Sequence, residues 1–133
     1  MKARIIPTMP ETVLSYGIGE KGADLDRITE SLGMTHKVIG EKQAGEQVGF
    51  LAGYGGFSSN GSAVRAEGEC LIFSGIEGNR LDMILKTLRA EGVSIPLKAI
   101  VTGTNQSQTL VWLLEELAKE HEAMEQARQK SSN

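Results

Sequence analysis

Apolar residues along this chain alternate between short unbroken runs and longer stripes at helical spacing, the signature of strands and helices in turn. Thr12–Tyr16 is a run closed by Gly17 and predicts a first strand. Leu25, Ile28 and Leu32 then recur at helical spacing from Asp24, and Gly33 stands where a left-handed helix end belongs. His36–Ile39 predicts a second strand, and Gln43–Ala52 a short helix carrying Val48, Leu51 and Ala52 on one side. The glycine- and serine-rich stretch 53–68 breaks the pattern and reads as a mobile loop between halves, with Tyr54 and Phe57 as possible anchors.

The pattern then repeats. Glu69–Ser74 predicts a third strand closed by Gly75, Asn79–Ala90 a helix striped by Leu81, Ile84, Leu85 and Leu88, and Gly92 its cap. Ile95–Val101 predicts the fourth strand, with Pro96 tolerated near its start. Asn105 is placed to cap a long last helix, with Gln108 completing a capping box, and that helix carries Leu110, Leu113, Leu114, Leu117, His121 and Met124. Tyr16-Gly17-Ile18 answers Ser74-Gly75-Ile76, and Leu25-Asp26-x-Ile28 answers Leu81-Asp82-x-Ile84. Residues 12–52 and 69–117 therefore read as two copies of a strand–helix–strand unit in a single domain spanning 1–133. Residues 1–11, with Pro7 and Pro10, read as an extended arm in which Ala3–Ile6 forms an edge strand.

Right-handed crossovers leave few ways to join two such units. The expected fold is a small three-layer α/β sandwich with a four-stranded, mainly parallel sheet in the order 2-1-3-4. The first and third helices are expected on opposite faces. Gly17 and Gly75 would then flank one crevice at the carboxyl ends of the central strands, where helix N-termini favour an anion.

Two candidate sites follow. Gly17-Ile18-Gly19-Glu20-Lys21-Gly22 has dinucleotide-loop spacing, with Glu41 about 20 residues on as the ribose acid. The equivalent second turn, Gly75-Ile76-Glu77-Gly78, lacks that spacing, and Glu20 would stand beside the phosphate. Lys98 followed by Thr102, Thr104 and Asn105 offers an ammonium, hydroxyls and an amide to a phosphate or carboxylate. The plainer reading makes Asn105 a helix cap and the threonines a polar turn. The expected ligand site thus comprises Gly17, Gly19, Gly75, Thr102, Thr104 and Asn105, with Lys98 beside them, and its ligand is a small anion.

Ile95–Asn105, followed by Thr109–Leu117 and Glu120-His121, resembles a bacterial family known only as a domain of unknown function, number 3783. The resemblance extends over Val13–His121 and is densest from Glu69. Members typically have proline where this chain has Gly103. The resemblance implies the fold and no reaction.

Composition narrows the remaining chemistry. The chain has 133 residues, 40% hydrophobic and only 5% aromatic, so aliphatic side chains must fill its core. A net charge of −3 offers nucleic acid no electrostatic attraction. One cysteine, Cys70, excludes an internal disulfide, fits a reducing compartment, and on an apolar strand reads as a packed thiol. Neither a signal peptide nor a membrane span is evident, and the expected location is the cytoplasm. No Ser/His/Asp or Cys/His set can be assembled from spacing, and neither His36 nor His121 has metal-ligand neighbours, so no catalytic residue, metal or cofactor is expected. The long last helix should overhang the sheet at residues 118–130 with Met124 and Ala127 in its apolar stripe, which favours a homodimer. The expected function is a non-catalytic ligand-binding or regulatory module. The alternatives are a nucleotide-binding protein or small enzyme using Gly17–Gly22, and an interaction domain using the last helix.

Overall fold

A computed structural model describes residues 10–131; the expected edge strand Ala3–Ile6 lies outside them. The strands are β1 (Thr12–Tyr16), β2 (Thr35–Val38), β3 (Cys70–Ser74) and β4 (Lys98–Ile100). The helices are α1 (Lys21–Ser31), α2 (Val48–Leu51), α3 (Gly78–Ala90) and α4 (Leu110–Ser131), with a 3-10 turn at Asn105–Ser107. Gly33 and Gly92 end α1 and α3 with φ of 73° and 75°, as their positions predict. The sheet order is β2-β1-β3-β4, as expected.

One junction departs from expectation. β1 pairs with β2 and β3 with β4 in parallel, but β1 and β3 run antiparallel, with Thr12 opposite Ser74 and Tyr16 opposite Cys70. Two right-handed crossovers on antiparallel central strands must both pass over the same face. Accordingly α1 and α3 lie together, not on opposite faces, and bury Leu25, Ile28, Ile84 and Leu88 against Val13, Leu71 and Phe73. The other face, Leu14, Tyr16 and Ile72, packs on Val48, Leu51, Leu110, Leu113 and Leu114 from α2 and α4. The three layers are therefore a helix pair, the sheet, and a second helix pair.

The antiparallel junction is possible because the connection from β2 to β3 never crosses the sheet to its starting end. Residues 53–68 are pinned in place. The Glu46 carboxylate, 4% exposed, accepts the Ser59 hydroxyl at 2.6 Å and the Asn60 amide at 2.9 Å. The Tyr16 hydroxyl donates to the Glu41 carbonyl at 2.6 Å and accepts the Ala66 amide at 3.0 Å. The loop expected to be mobile is thus fastened both to the segment leading into α2 and to β1. Only Val48–Leu51 of the helix expected over Gln43–Ala52 forms, because the Ala44 amide bonds to Val64 and the Ala44 and Glu46 carbonyls take amides from α4.

At the opposite end, Arg80 of α3 donates to both Glu11 oxygens and to the Leu32 carbonyl, tying the entry to β1 to both α1 and α3. The guanidinium hydrogen bond holds the Glu11 carboxyl below its ordinary value, against the opposing effect of burial. Asn105 does not cap α4. Thr109 does, its hydroxyl accepting the Trp112 amide at 3.2 Å. α4 is 22 residues long, about 33 Å at its rise per residue.

Gly17 gives the sharpest test of this packing. It has φ +71°, and a Cβ there would stand 2.3 Å from the Gly68 carbonyl oxygen. Gly17→Ala should cost about 2–4 kcal/mol, combining left-handed strain with a backbone clash. Urea unfolding of the two proteins measures it; an unchanged midpoint would contradict the close approach of residues 17 and 68.

Candidate functional site

The antiparallel junction separates the residues that were expected to share one crevice. Gly17 follows β1 beside the start of β3, whereas Gly75 follows β3 beside the start of β1. They stand at opposite ends of the sheet, so the crevice between equivalent turns does not exist. Gly19 stays with Gly17.

The dinucleotide-like loop is occupied by the protein itself. Gly17 makes room for the Gly68 carbonyl, and Lys21 donates to the Glu69 carboxylate at 2.6 Å and the Ser94 carbonyl at 2.8 Å. A carbonyl oxygen and a carboxylate therefore stand against the turn where a phosphate would need donors. Glu41 pairs with Arg65 at 2.8 Å.

Three of the expected residues do meet. Lys98, Thr102 and Asn105 line a cleft of about 450 Å³ along the outer edge of β4, between α3 and α4. Its apolar lining comes from Phe73, Leu81 and Leu85 on one side and Leu113 and Leu117 on the other. Thr104 is exposed on the adjoining turn and does not line it. The polar groups of that turn are turned inward. Asn105 Oδ1 accepts the Thr102 amide at 2.8 Å, Thr102 Oγ1 accepts the Asn105 amide at 3.0 Å, and Asn105 Nδ2 donates to the Ile100 carbonyl at 3.0 Å. This closed loop of bonds ends β4 and takes up the main-chain amides of Thr102 and Asn105. Lys98 Nζ donates to the Ile95 carbonyl at 2.7 Å, and burial, reinforced by the nearby Arg89 charge, lowers its pKa.

What the cleft leaves open is main chain. The Leu71 amide donates to Leu97 and the Val101 amide to Phe73, each at 3.0 Å. In the alternation of a parallel ladder, Leu97, Ala99 and Val101 therefore face β3, and Lys98 and Ile100 turn their peptide groups outward. Among the described residues the Lys98 amide and carbonyl and the Ile100 amide have no partner. Ile100 itself is 45% exposed.

Residues 69–124 match the family model DUF3783, a domain of unknown function. The match begins just before β3 and ends within α4, so it covers both walls of the cleft and the whole of the edge strand. It is narrower than the expected resemblance over Val13–His121, since β1, α1 and β2 fall outside it. No curated protein and no solved structure matches the chain.

One constellation escaped the sequence reading. The Ser15 hydroxyl lies 2.7 Å from His36 Nε2, and His36 Nδ1 lies 2.6 Å from Asp26 Oδ1. The Asp26 carboxylate can only accept, so Nδ1 of His36 carries the proton between them, and in the neutral imidazole Nε2 is left to accept the serine proton. The order is that of a hydrolytic triad, but the exposure is inverted. Ser15 is 0% exposed and the His36 side chain 3%, while Asp26 is 69% exposed. A serine under α1 meets no substrate, and the array instead satisfies a histidine buried between helix and sheet. Strand alternation could have placed Ser15 and His36 on one face, but only the register brings them together.

Cys70 is equally enclosed, and burial pushes its thiol up to about 12. A fluorophosphonate probe and a maleimide at pH 8 should leave the folded chain unlabelled, and the maleimide should react fully in urea. Labelling of Ser15 or Cys70 under native conditions, read by mass spectrometry, would contradict this burial.

Proposed function

We propose that this chain is a non-catalytic interaction module that docks an extended polypeptide segment along the free edge of β4. The observation that carries this reading is the set of unpartnered peptide groups at Lys98 and Ile100 on the floor of an apolar cleft. A strand edge of that kind satisfies its hydrogen bonds by accepting another strand, while side-chain pockets beside it set which sequence fits. Leu81 and Leu85 form one wall and Leu113 and Leu117 the other, so a docked strand would place alternate side chains against each helix.

The non-catalytic part of the reading is supported by the enclosure of Ser15, His36 and Cys70. A small anion is less favoured as the occupant, because the Thr102 and Asn105 main-chain amides are spent on the turn and apolar side chains make up most of the lining.

Amide hydrogen exchange reads this directly. In dilute protein the Lys98 and Ile100 amides should exchange rapidly while Ala99 and Val101 are protected. Both should slow by at least about tenfold when a strand docks, whether from a library of alternating apolar peptides or from the protein at high concentration. Rapid exchange at both amides with every peptide and at every concentration would refute the reading.

A further inference from the structure

Resting on the reading of β4 as a docking edge, we propose that its occupant is a second copy of this chain, β4 against β4 antiparallel about Ala99. The edge is self-complementary in that register. Lys98 of one copy stands opposite Ile100 of the other, and each pair exchanges amide and carbonyl in both directions, giving four hydrogen bonds across the two-fold axis. The Ile100 carbonyl, which takes Asn105 Nδ2, keeps its second lone pair for this bond.

Charge complementarity on α3 selects a second copy over an unrelated strand. A two-fold axis perpendicular to the sheet lays α3 antiparallel to its counterpart on the same face. Each α3 covers the outer strand pair of its own sheet, so the two axes stand two strand spacings apart, about 9–10 Å, the separation of packed helices. Asp82 and Arg89 are seven residues apart on α3, two turns along one stripe, with Leu85 between them. Leu85 and Arg89 border the clefts at the β4 edge, which places the stripe toward the axis. Both charged residues are exposed, and neither side chain has an ion-pair or hydrogen-bond partner among the described residues. In the antiparallel pair Asp82 of each copy faces Arg89 of the other, across a central Leu85 contact. Lys98 lies on the Arg89 side and adds to the positive end.

The chain already makes this junction once within itself. β1 and β3 pair antiparallel, α1 and α3 pack side by side above them, and Arg27 bridges to Glu91 between those helices at 2.8 Å. Pairing at β4 repeats the same operation and yields a continuous eight-stranded sheet in which the exposed Ile100 is covered by the stem of the opposing Lys98.

Sedimentation equilibrium on the full chain, with hydrogen exchange on the same samples, tests the proposal. The parent should show a monomer–dimer equilibrium up to about 0.2 mM, with protection of Lys98 and Ile100 rising alongside the dimer. Arg89→Asp sets like charges opposite each other and should weaken the dimer by about tenfold or more, and adding Asp82→Arg should restore it. Neither residue holds the monomer together, so circular dichroism should be unchanged in both variants. A chain that stays monomeric, a dimer indifferent to Arg89→Asp, or a charge swap without rescue would each overturn the two-fold pairing. Peptide-induced protection of Lys98 and Ile100 in a monomeric chain would still uphold the docking edge itself.

Discussion

The antiparallel pairing of β1 with β3 is the constraint on which the rest of this molecule depends. Each strand–helix–strand unit could form with its helix on only one side, because the crossover is right-handed. Turning one central strand over therefore moves a whole helix to the other face. It puts α1 beside α3, leaves the opposite face to α2 and α4, and sends the two Gly-Ile turns to opposite ends of the sheet. The single crevice of a parallel arrangement is lost, and the open features of the fold move to its outer strands.

Much of this fold was legible in the sequence. β1 and β3 are unbroken apolar runs closed by glycine, and α3 carries a full stripe, so their bounds fall close to the residues that predict them. Strand order was legible too. Relative direction was not, because it depends on where the connection from β2 re-enters the sheet. That is decided by contacts remote in sequence, Glu46 with Ser59 and Asn60, and Tyr16 with Glu41 and Ala66. A loop rich in glycine and serine gives no sign of being fastened when its fasteners are one buried carboxylate and one tyrosine.

The candidate site was legible in the same uneven way. Lys98, Thr102 and Asn105 do line the cleft, but Thr102 and Asn105 bond to each other across a turn and Lys98 reaches back to the Ile95 carbonyl. The groups that remain open are peptide groups, which every residue carries and no motif marks. Ser15, His36 and Asp26 were invisible for a related reason: their meeting depends on strand register and on which residue of α1 lies above it. Found in the structure, they resemble a catalytic set in order and differ from one in exposure, and exposure decides what they can do.

The antiparallel junction of β1 with β3, with α1 and α3 abutting above it, is the arrangement that the proposed pairing would repeat at the β4 edge. Cysteine cross-linking at the proposed axis tests this most directly. Two residues paired at Ala99 would stand about 4.5–5.5 Å apart between Cα atoms, within disulfide reach, whereas Ile100 would not face its own counterpart. Ala99→Cys should oxidise readily to a covalent dimer, with the buried Cys70 not competing. Failure of Ala99→Cys to cross-link, with ready cross-linking of Ile100→Cys instead, would contradict pairing about Ala99.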